Sequence, residues 1–186
     1  MSLAHATVFL IDGENLTLRY AALLKEGRRP QKGVVYERDV FVWHYGLVGR
    51  RFGDIRRVTY FTSAVGDQDR IIAVTEQLRT FKYSFFDGHN EIDATVVGRV
   101  FKRRSGREEA KAVDINLVLE GLRHVRAHSM AEVHLYSGDG DFIPFITEAM
   151  HLGARVHVAA LSSGLNPGMK TAGDSFRLLD DIFFLP

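Results

Sequence analysis

Apolar and polar positions along this 186-residue chain fall into two kinds of segment. Short runs without a polar break have the length of buried strands, and longer segments repeat apolar residues every three or four positions, as helices do. "ATVFLI" (6–11) is the first run, apolar throughout as a strand buried on both faces requires. A helix is predicted over 15–24, before Gly27, Pro30 and Gly33 interrupt the pattern. "RDVFVWHYGLVGRR" (38–51) spaces its apolar residues as a helix would. "RRVTYFTSA" (56–64) reads as the second strand, rich in β-branched and aromatic residues. "QDRIIAVTEQLRTF" (68–81) reads as a helix and "KYSFFD" (82–87) as a short strand.

The second half repeats the alternation. "ATVVGRVFKRR" (94–104) predicts an edge strand, and the polar stretch after it suggests a hairpin or flap around 94–108. Over 108–127 the periodicity predicts a helix with a stripe of Ala112, Ile115, Leu119 and Leu122, flanked by Val118 and Val125. Ser105 and Glu108 have capping-box spacing, and Glu108 and Glu109 suit a positive helix start. A strand follows at 131–137, then a helix at 141–153 that tolerates Pro144 in its first turn and stops at Gly153. A strand at 154–161, a short helix within 166–176 and a closing strand or tail at 180–186 complete the pattern. Strands alternating with helices argue for βαβ units around a parallel sheet in a single domain spanning 1–186.

Composition is that of an ordinary globular chain, 46% hydrophobic and 25% charged, which argues against disorder or a fibrous class. The net charge of +1 provides no strong field, but basic residues cluster in 28–32, 50–57 and 101–107, where they could touch phosphates or form solvated surface. There is no cysteine, so neither disulfides nor thiolate metal sites are available. The start lacks signal-peptide character, and no apolar stretch reaches the roughly 20 residues of a membrane helix. The expectation is a soluble cytoplasmic protein without membrane association. The aromatic-rich helices are compatible with a homodimer.

The acids change the picture. Asp12 closes the first strand, and Asp139 and Asp141 follow the strand at 131–137 in "LYSGDGDF" with only Gly140 between them. Asp114 lies early in the 108–127 helix between Val113 and Ile115. Ligands of open parallel sheets gather at the carboxyl ends of strands. Two unit charges about 4 Å apart repel by about 4 kcal/mol at an effective dielectric of about 20. Four converging carboxylates therefore take up protons or bind a cation, and hard oxygen donors suit Mg²⁺ or Mn²⁺. Gly140 would let the chain turn tightly so that both flanking acids face one ion. Metal-assisted attack of water on a phosphodiester is the chemistry this set supports. Each acid also has an ordinary structural use. Asp141 could cap the following helix, Asp139 could serve a turn, Asp12 could belong to an Asp-Gly turn, and Asp114 could pair with Lys111 one turn earlier.

"FLIDGENL", "KAVDINLVLEGL" and "LYSGDGDFIPFI", with the later "GARVHVAAL" and "AGDSFRLLDDIFF", together resemble the NYN domain of the PIN-like nuclease superfamily. That resemblance implies a Rossmann-like three-layer α/β/α sandwich with a mostly parallel central sheet. It also implies a metal-dependent endoribonuclease acting on RNA, with Asp12, Asp114, Asp139 and Asp141 as the acidic metal and catalytic site. By motif position Asn15 would orient Asp12 or a phosphate, Ser137 would support the acids, and Lys111 would meet a phosphate. Lys102, Arg103 and Arg104, with the basic residues near 50–57, would hold the strand. Glu120 stands where many relatives carry Asp. Six residues beyond Asp114 it points to another side of the helix and is left outside the site.

Two other functions fit parts of the pattern. A haloacid-dehalogenase-like phosphatase would use Asp12 as nucleophile with Thr62 or Ser63 and Asp139, although Glu14 and Ile143 stand where that class wants acids. A non-catalytic RNA-binding module would retain RNA without cutting it. None of the eight histidines forms a compact metal-spaced motif, and His134 and His157 read as packed strand residues. Phe85, Phe86, Trp43 and Tyr45 could stack on bases but fit a core better, and Glu91 and Asp93 lie in a loop where a distant supporting metal role is open.

Overall fold

The computed structural model describes residues 6–48, 51–52, 54–87, 90–104, 111–128 and 131–186. β1 (Ala6–Asp12) leads into α1 (Gly13–Lys25), then a small antiparallel pair, β2 (Val35–Glu37) and β3 (Phe41–Trp43), and a single 3-10 turn at Tyr45–Leu47. β4 (Arg51–Phe52), β5 (Asp54–Val65), α2 (Gln68–Arg79), β6 (Lys82–Asp87), β7 (Asn90–Thr95) and β8 (Val97–Arg103) precede the long α3 (Lys111–Ala127). β9 (Ala131–Tyr136), a 3-10 turn at Gly140–Phe142, α4 (Ile143–His151), β10 (Arg155–Ala160), α5 (Met169–Ala172), β11 (Ser175–Leu178) and α6 (Asp180–Phe183) follow.

Six strands form one parallel sheet in the order β11-β10-β9-β1-β5-β8. β1 is central and buried along its whole length, which is why its sequence shows no polar break. Its residues alternate between two cores. Phe9 and Ile11 pack with Leu16, Tyr20 and Leu23 of α1 and with Val74 and Leu78 of α2. Val8 and Leu10 pack with Val113, Leu117 and Val125 of α3 and with Phe145 and Ile146 of α4. The result is the α/β sandwich expected from the alternating pattern.

The structure departs from the sequence reading in several places. Residues 38–48 hold no α-helix. Val40, Phe41, Val42 and Trp43 are all buried in succession, and Tyr60 pins this strand by donating to the Val42 carbonyl (3.1 Å) and accepting from its N–H (3.0 Å). Four consecutive bulky apolar residues satisfy strand burial better than a helix stripe. The hairpin lies earlier than predicted. β6 and β7 pair antiparallel over 82–95, with β4, in a sheet of their own, while β8 joins the central sheet as its edge. The remainder of the expected flap, and the Ser105–Glu108 capping box with Glu109, lie outside the described residues. β11 is missing from the sequence reading because it is a four-residue edge strand with little buried surface. The chain closes on the short α6 rather than a strand.

α3 is a helix as expected, but it is rotated relative to the predicted stripe. Val113, Leu117, Gly121 and Val125 are buried, whereas Ile115 (57%) and Leu119 (42%) are exposed. Gly121 decides the matter: a Cβ there would stand 2.5 Å from Phe145 of α4 and 2.8 Å from Leu10 of β1. The helix can approach the sheet only along its smallest residue, which a hydrophobicity pattern does not count as apolar. Leu117→Ala is therefore expected to cost about 2–5 kcal/mol of stability and Leu119→Ala no more than about 0.5 kcal/mol, as measured by denaturant midpoints. The predicted stripe would give the reverse order.

Candidate active site

Connections after β1 run to the β5 side of the sheet and connections after β9 run to the β10 side, so the direction of winding reverses between these two neighbours. That reversal opens a crevice at their carboxyl ends. Asp12 is the last residue of β1, and "SGDGD" follows β9 directly. A crossover helix between parallel strands must run back from the carboxyl edge to the amino edge. The first turn of α3, which carries Asp114, accordingly begins at the carboxyl edge.

A hydrogen-bonded network joins these segments. Asp12, only 3% exposed, accepts at Oδ1 from the Asn15 N–H (3.1 Å) and at Oδ2 from the Ser137 hydroxyl (2.7 Å). Ser137 Oγ in turn accepts from the Asp139 N–H (3.1 Å), and Asn15 Oδ1 accepts from the Gly138 N–H (3.0 Å). Asp12 is thus the N-cap of α1 rather than part of an Asp-Gly turn. Gly13 is required by close approach: a Cβ would lie 2.2 Å from the Tyr60 ring and 2.7 Å from the Phe61 carbonyl.

The two acids that flank Gly140 have different places. Asp139 is half-buried, and its Oδ1 accepts from the Asp141 N–H (2.9 Å), so Asp139 is the cap of the 3-10 turn. Asp141 is exposed, and α4 carries no side-chain cap. Gly140 does not have the positive φ of a tight glycine turn. It is small because Asn166 sits against it: a Cβ would meet Asn166 Nδ2 at 2.1 Å. The 162–168 segment is held there by the Asn166 N–H to Gly138 carbonyl bond (3.0 Å), and by buried Asp180, which accepts from the Ser162 N–H (2.9 Å) and hydroxyl (2.5 Å).

Burial pushes Asp12 from its ordinary 3.8 up to about 7. The Asn15 and Ser137 hydrogen bonds oppose this rise, while the negative charges of Asp114 and Glu14 reinforce it. Asp12 and Asp114, 102 positions apart, therefore feel one another's charge. Glu14, which in the sequence stands out only as a departure from a phosphatase motif, adds a further carboxylate. It lies in the first turn of α1 and accepts a hydrogen bond from the Ser63 hydroxyl of β5. Its position two residues beyond Asp12, at a predicted helix start, was the available signal. Asp12 thus holds its proton near neutrality within the field of two further acids, although among the described residues no three of the site's carboxylates offer oxygens within 4.8 Å of one another, so a divalent cation taking the proton's place would draw them closer. All the donors are hard oxygens, which fits Mg²⁺ or Mn²⁺.

Other candidate residues are placed as follows. Lys111 is exposed at the start of α3. Lys102 and Arg104 are exposed at the carboxyl end of β8, and Arg103 reaches the Asp39 carbonyl (3.4 Å). Arg56 and Arg57 lie instead near the amino end of β5, level with Thr7 and Val8, so the two basic stretches sit at opposite edges of the sheet. Glu120 does turn away from the acids. It accepts from Thr59 Oγ1 (2.6 Å) and Arg99 Nε (3.3 Å), and Arg57 Nη1 lies 3.7 Å from it. Thr62 and Ser63, which the phosphatase reading needs free, are fully buried and donate to the Val40 carbonyl and to Glu14. Trp43 is core while Tyr45 is 73% exposed, and Glu91 and Asp93 are exposed on β7 in the small sheet.

A family model described as the NYN domain matches residues 6–180. No curated protein matches the chain. A crystal structure of a protein of unknown function from Vibrio parahaemolyticus is similar in fold, with a TM-score of 0.51 at 16% identity, covering 100% of this chain and 99% of that one.

The raised value of Asp12 has a sign that can be tested. The folded chain binds this proton more tightly than the unfolded chain, so the stabilisation is complete below the unfolded value and is lost as pH rises from about 4 through about 7. The rise from 3.8 to about 7 corresponds to on the order of 4 kcal/mol. In metal-free protein, Asp12→Asn is expected to gain stability relative to the parent between pH 5 and pH 8, followed by denaturant midpoint across pH. A difference that stays flat over that range would show that Asp12 is already ionised at pH 5.

Proposed function

The chain belongs to the NYN domain family, a nuclease-related family of PIN-like fold, and on that premise we propose that it is a divalent-metal-dependent endoribonuclease. The observation that carries the proposal is the convergence on Asp12. Its carboxylate lies in the crevice between β1 and β9, within the field of Asp114 and Glu14 and one hydroxyl away from the Asp139 backbone.

In this proposal Asp12, Asp114, Asp139 and Asp141 would hold Mg²⁺ or Mn²⁺. The ion would polarise the scissile phosphoryl oxygen and lower the pKa of a bound water. The chain's own groups supply positioning. Ser137 donates to Asp12 and fixes one carboxylate oxygen, and the Asn15 N–H fixes the other. The Asp141 N–H orients the Asp139 carboxylate. Asn15 Oδ1 ties Gly138 to the start of α1, so the loop carrying both acids is held to β1. Such fixed supporting bonds reduce the reorganisation that binding a doubly charged ion would otherwise require. Lys102, Arg104 and Lys111 supply exposed positive charge where the central sheet and α3 meet the carboxyl edge, and would contact RNA phosphates there.

With Mn²⁺ and a panel of single-stranded RNAs, the parent chain should cut, and chelator should stop it. Asp139→Asn should lower the rate by about 100-fold or more, the scale of removing one preorganised group. Equal cleavage by parent and variant, or none by the parent on any RNA, would refute the proposal. Replacing Lys102 and Arg104 together by Ala should weaken RNA binding and reduce the salt slope by about 1.4, at about 0.7 per lost single-strand phosphate contact. An unchanged slope would remove these two residues from the RNA path.

A further inference from the structure

We propose that Glu132, His134 and His157 form a separate metal site for a transition ion of the Zn²⁺ class, independent of the carboxylates at the strand ends. The parallel pairing of β9 with β10 sets His134 directly beside His157, and Glu132 lies two residues before His134 on the same face of β9. One ligand atom from each residue falls within 4.8 Å of the other two. His134 Nε2 stands 2.7 Å from Glu132 Oε1, and His157 Nε2 stands 3.7 Å from that same oxygen. Two ligands about 2.1 Å from a tetrahedral zinc lie about 3.4 Å apart, between these two separations.

The three groups already meet through polar contacts. His134 is buried, stacks on Phe9 (4.4 Å) and on His157 (4.8 Å), and shares a hydrogen bond with Glu132 through Nε2, so an ion would take the place of that hydrogen bond and tilt the two imidazoles out of their stack. The Ser175 hydroxyl lies 2.7 Å from His157 Nδ1. A partner at one ring nitrogen is what orients a ligating imidazole and leaves the other nitrogen's lone pair available to the ion. A cavity of about 300 Å³ borders the group, lined by His134, His157, Ser175, Tyr136 and Arg177, so the remaining coordination position is open to water. Arg177 in that wall is engaged elsewhere, over the Tyr136 ring (6.0 Å) and toward the Leu47 carbonyl (3.3 Å).

This group is distinct from the acidic crevice in place and in chemistry. His134 pairs with Phe9, three residues before Asp12 and so about 10 Å back along the strands. Two imidazoles and one carboxylate select Zn²⁺ and its neighbours in the transition series, whereas Mg²⁺ prefers all-oxygen shells. No sequence motif shows it, because His134 and His157 lie 23 positions apart on different strands.

The test uses the full chain stripped with chelator and titrated with Co²⁺, whose visible spectrum reports tetrahedral nitrogen and oxygen ligation, and with Zn²⁺ in competition. One tetrahedral, Zn²⁺-displaceable ion per chain is expected, apart from any ion taken up by the carboxylates at the strand ends. His157→Gln and Glu132→Gln should each weaken binding by at least about 100-fold, and Ser175→Ala by about 10–100-fold as an outer-shell partner. Asp139→Asn should leave the binding unchanged. In parent protein, Zn²⁺ should shift the ring resonances of His134 and His157 and of no other histidine, a readout independent of how the variants fold. Absence of stoichiometric binding, binding indifferent to both Gln variants, or binding abolished by Asp139→Asn would overturn the proposal.

Discussion

A carboxylate taken out of water at the junction of two parallel strands sets the terms for the rest of this structure. Asp12 is nearly inaccessible, and only two donors offset its desolvation, the Asn15 N–H and the Ser137 hydroxyl. Those donors come from the next helix and from the segment after β9, so satisfying one buried acid forces three parts of the chain together. The sheet topology makes this possible, because the winding reverses between β1 and β9 and leaves no helix in the crevice between their ends. The partial satisfaction is also why Asp12 stays protonated until about pH 7. A site optimised for stability alone would have replaced the acid.

Much of the fold was legible because strands buried on both faces and amphipathic helices leave different periodicities. β1, β5, α2, β9 and β10 all fall where the pattern puts them. The errors have physical causes. In 38–48, helical spacing was a coincidence of a segment whose apolar residues other than Tyr45 are buried, with Tyr60 and Thr62 of β5 holding Val42 and Val40 by their carbonyls. In α3 the contact stripe runs through Gly121, which no hydrophobicity scale marks. β11 is short and largely exposed, so it carries no periodic signal.

The candidate site was legible in its residues more than in its supports. Asp12, Asp114 and Asp139 stand out because acids beside apolar runs are costly. The roles assigned around them were harder to read. Gly140 serves packing, Asp139 rather than Asp141 does the capping, and Glu14 adds a charge whose hydrogen bond to Ser63 crosses to another strand. Glu120 shows the opposite case. Its six-residue offset from Asp114 placed it on another side of α3, and there it fastens the helix to β5 and β8 through Thr59, Arg57 and Arg99. Exposed ion pairs of this kind contribute little singly, so the Thr59 bond and the shared carboxylate give this cluster its purpose of fixing the helix register.

The contact between Gly140 and Asn166 carries a consequence for how such chains can diverge. Neither position touches Asp12, yet one lacks a side chain because the other occupies its space. Bulk at 140 requires the exposed Asn166 side chain to turn aside or become smaller, or its segment to move. The pair should therefore drift as a unit across related sequences, and a correlated substitution there would record local crowding rather than a change in chemistry.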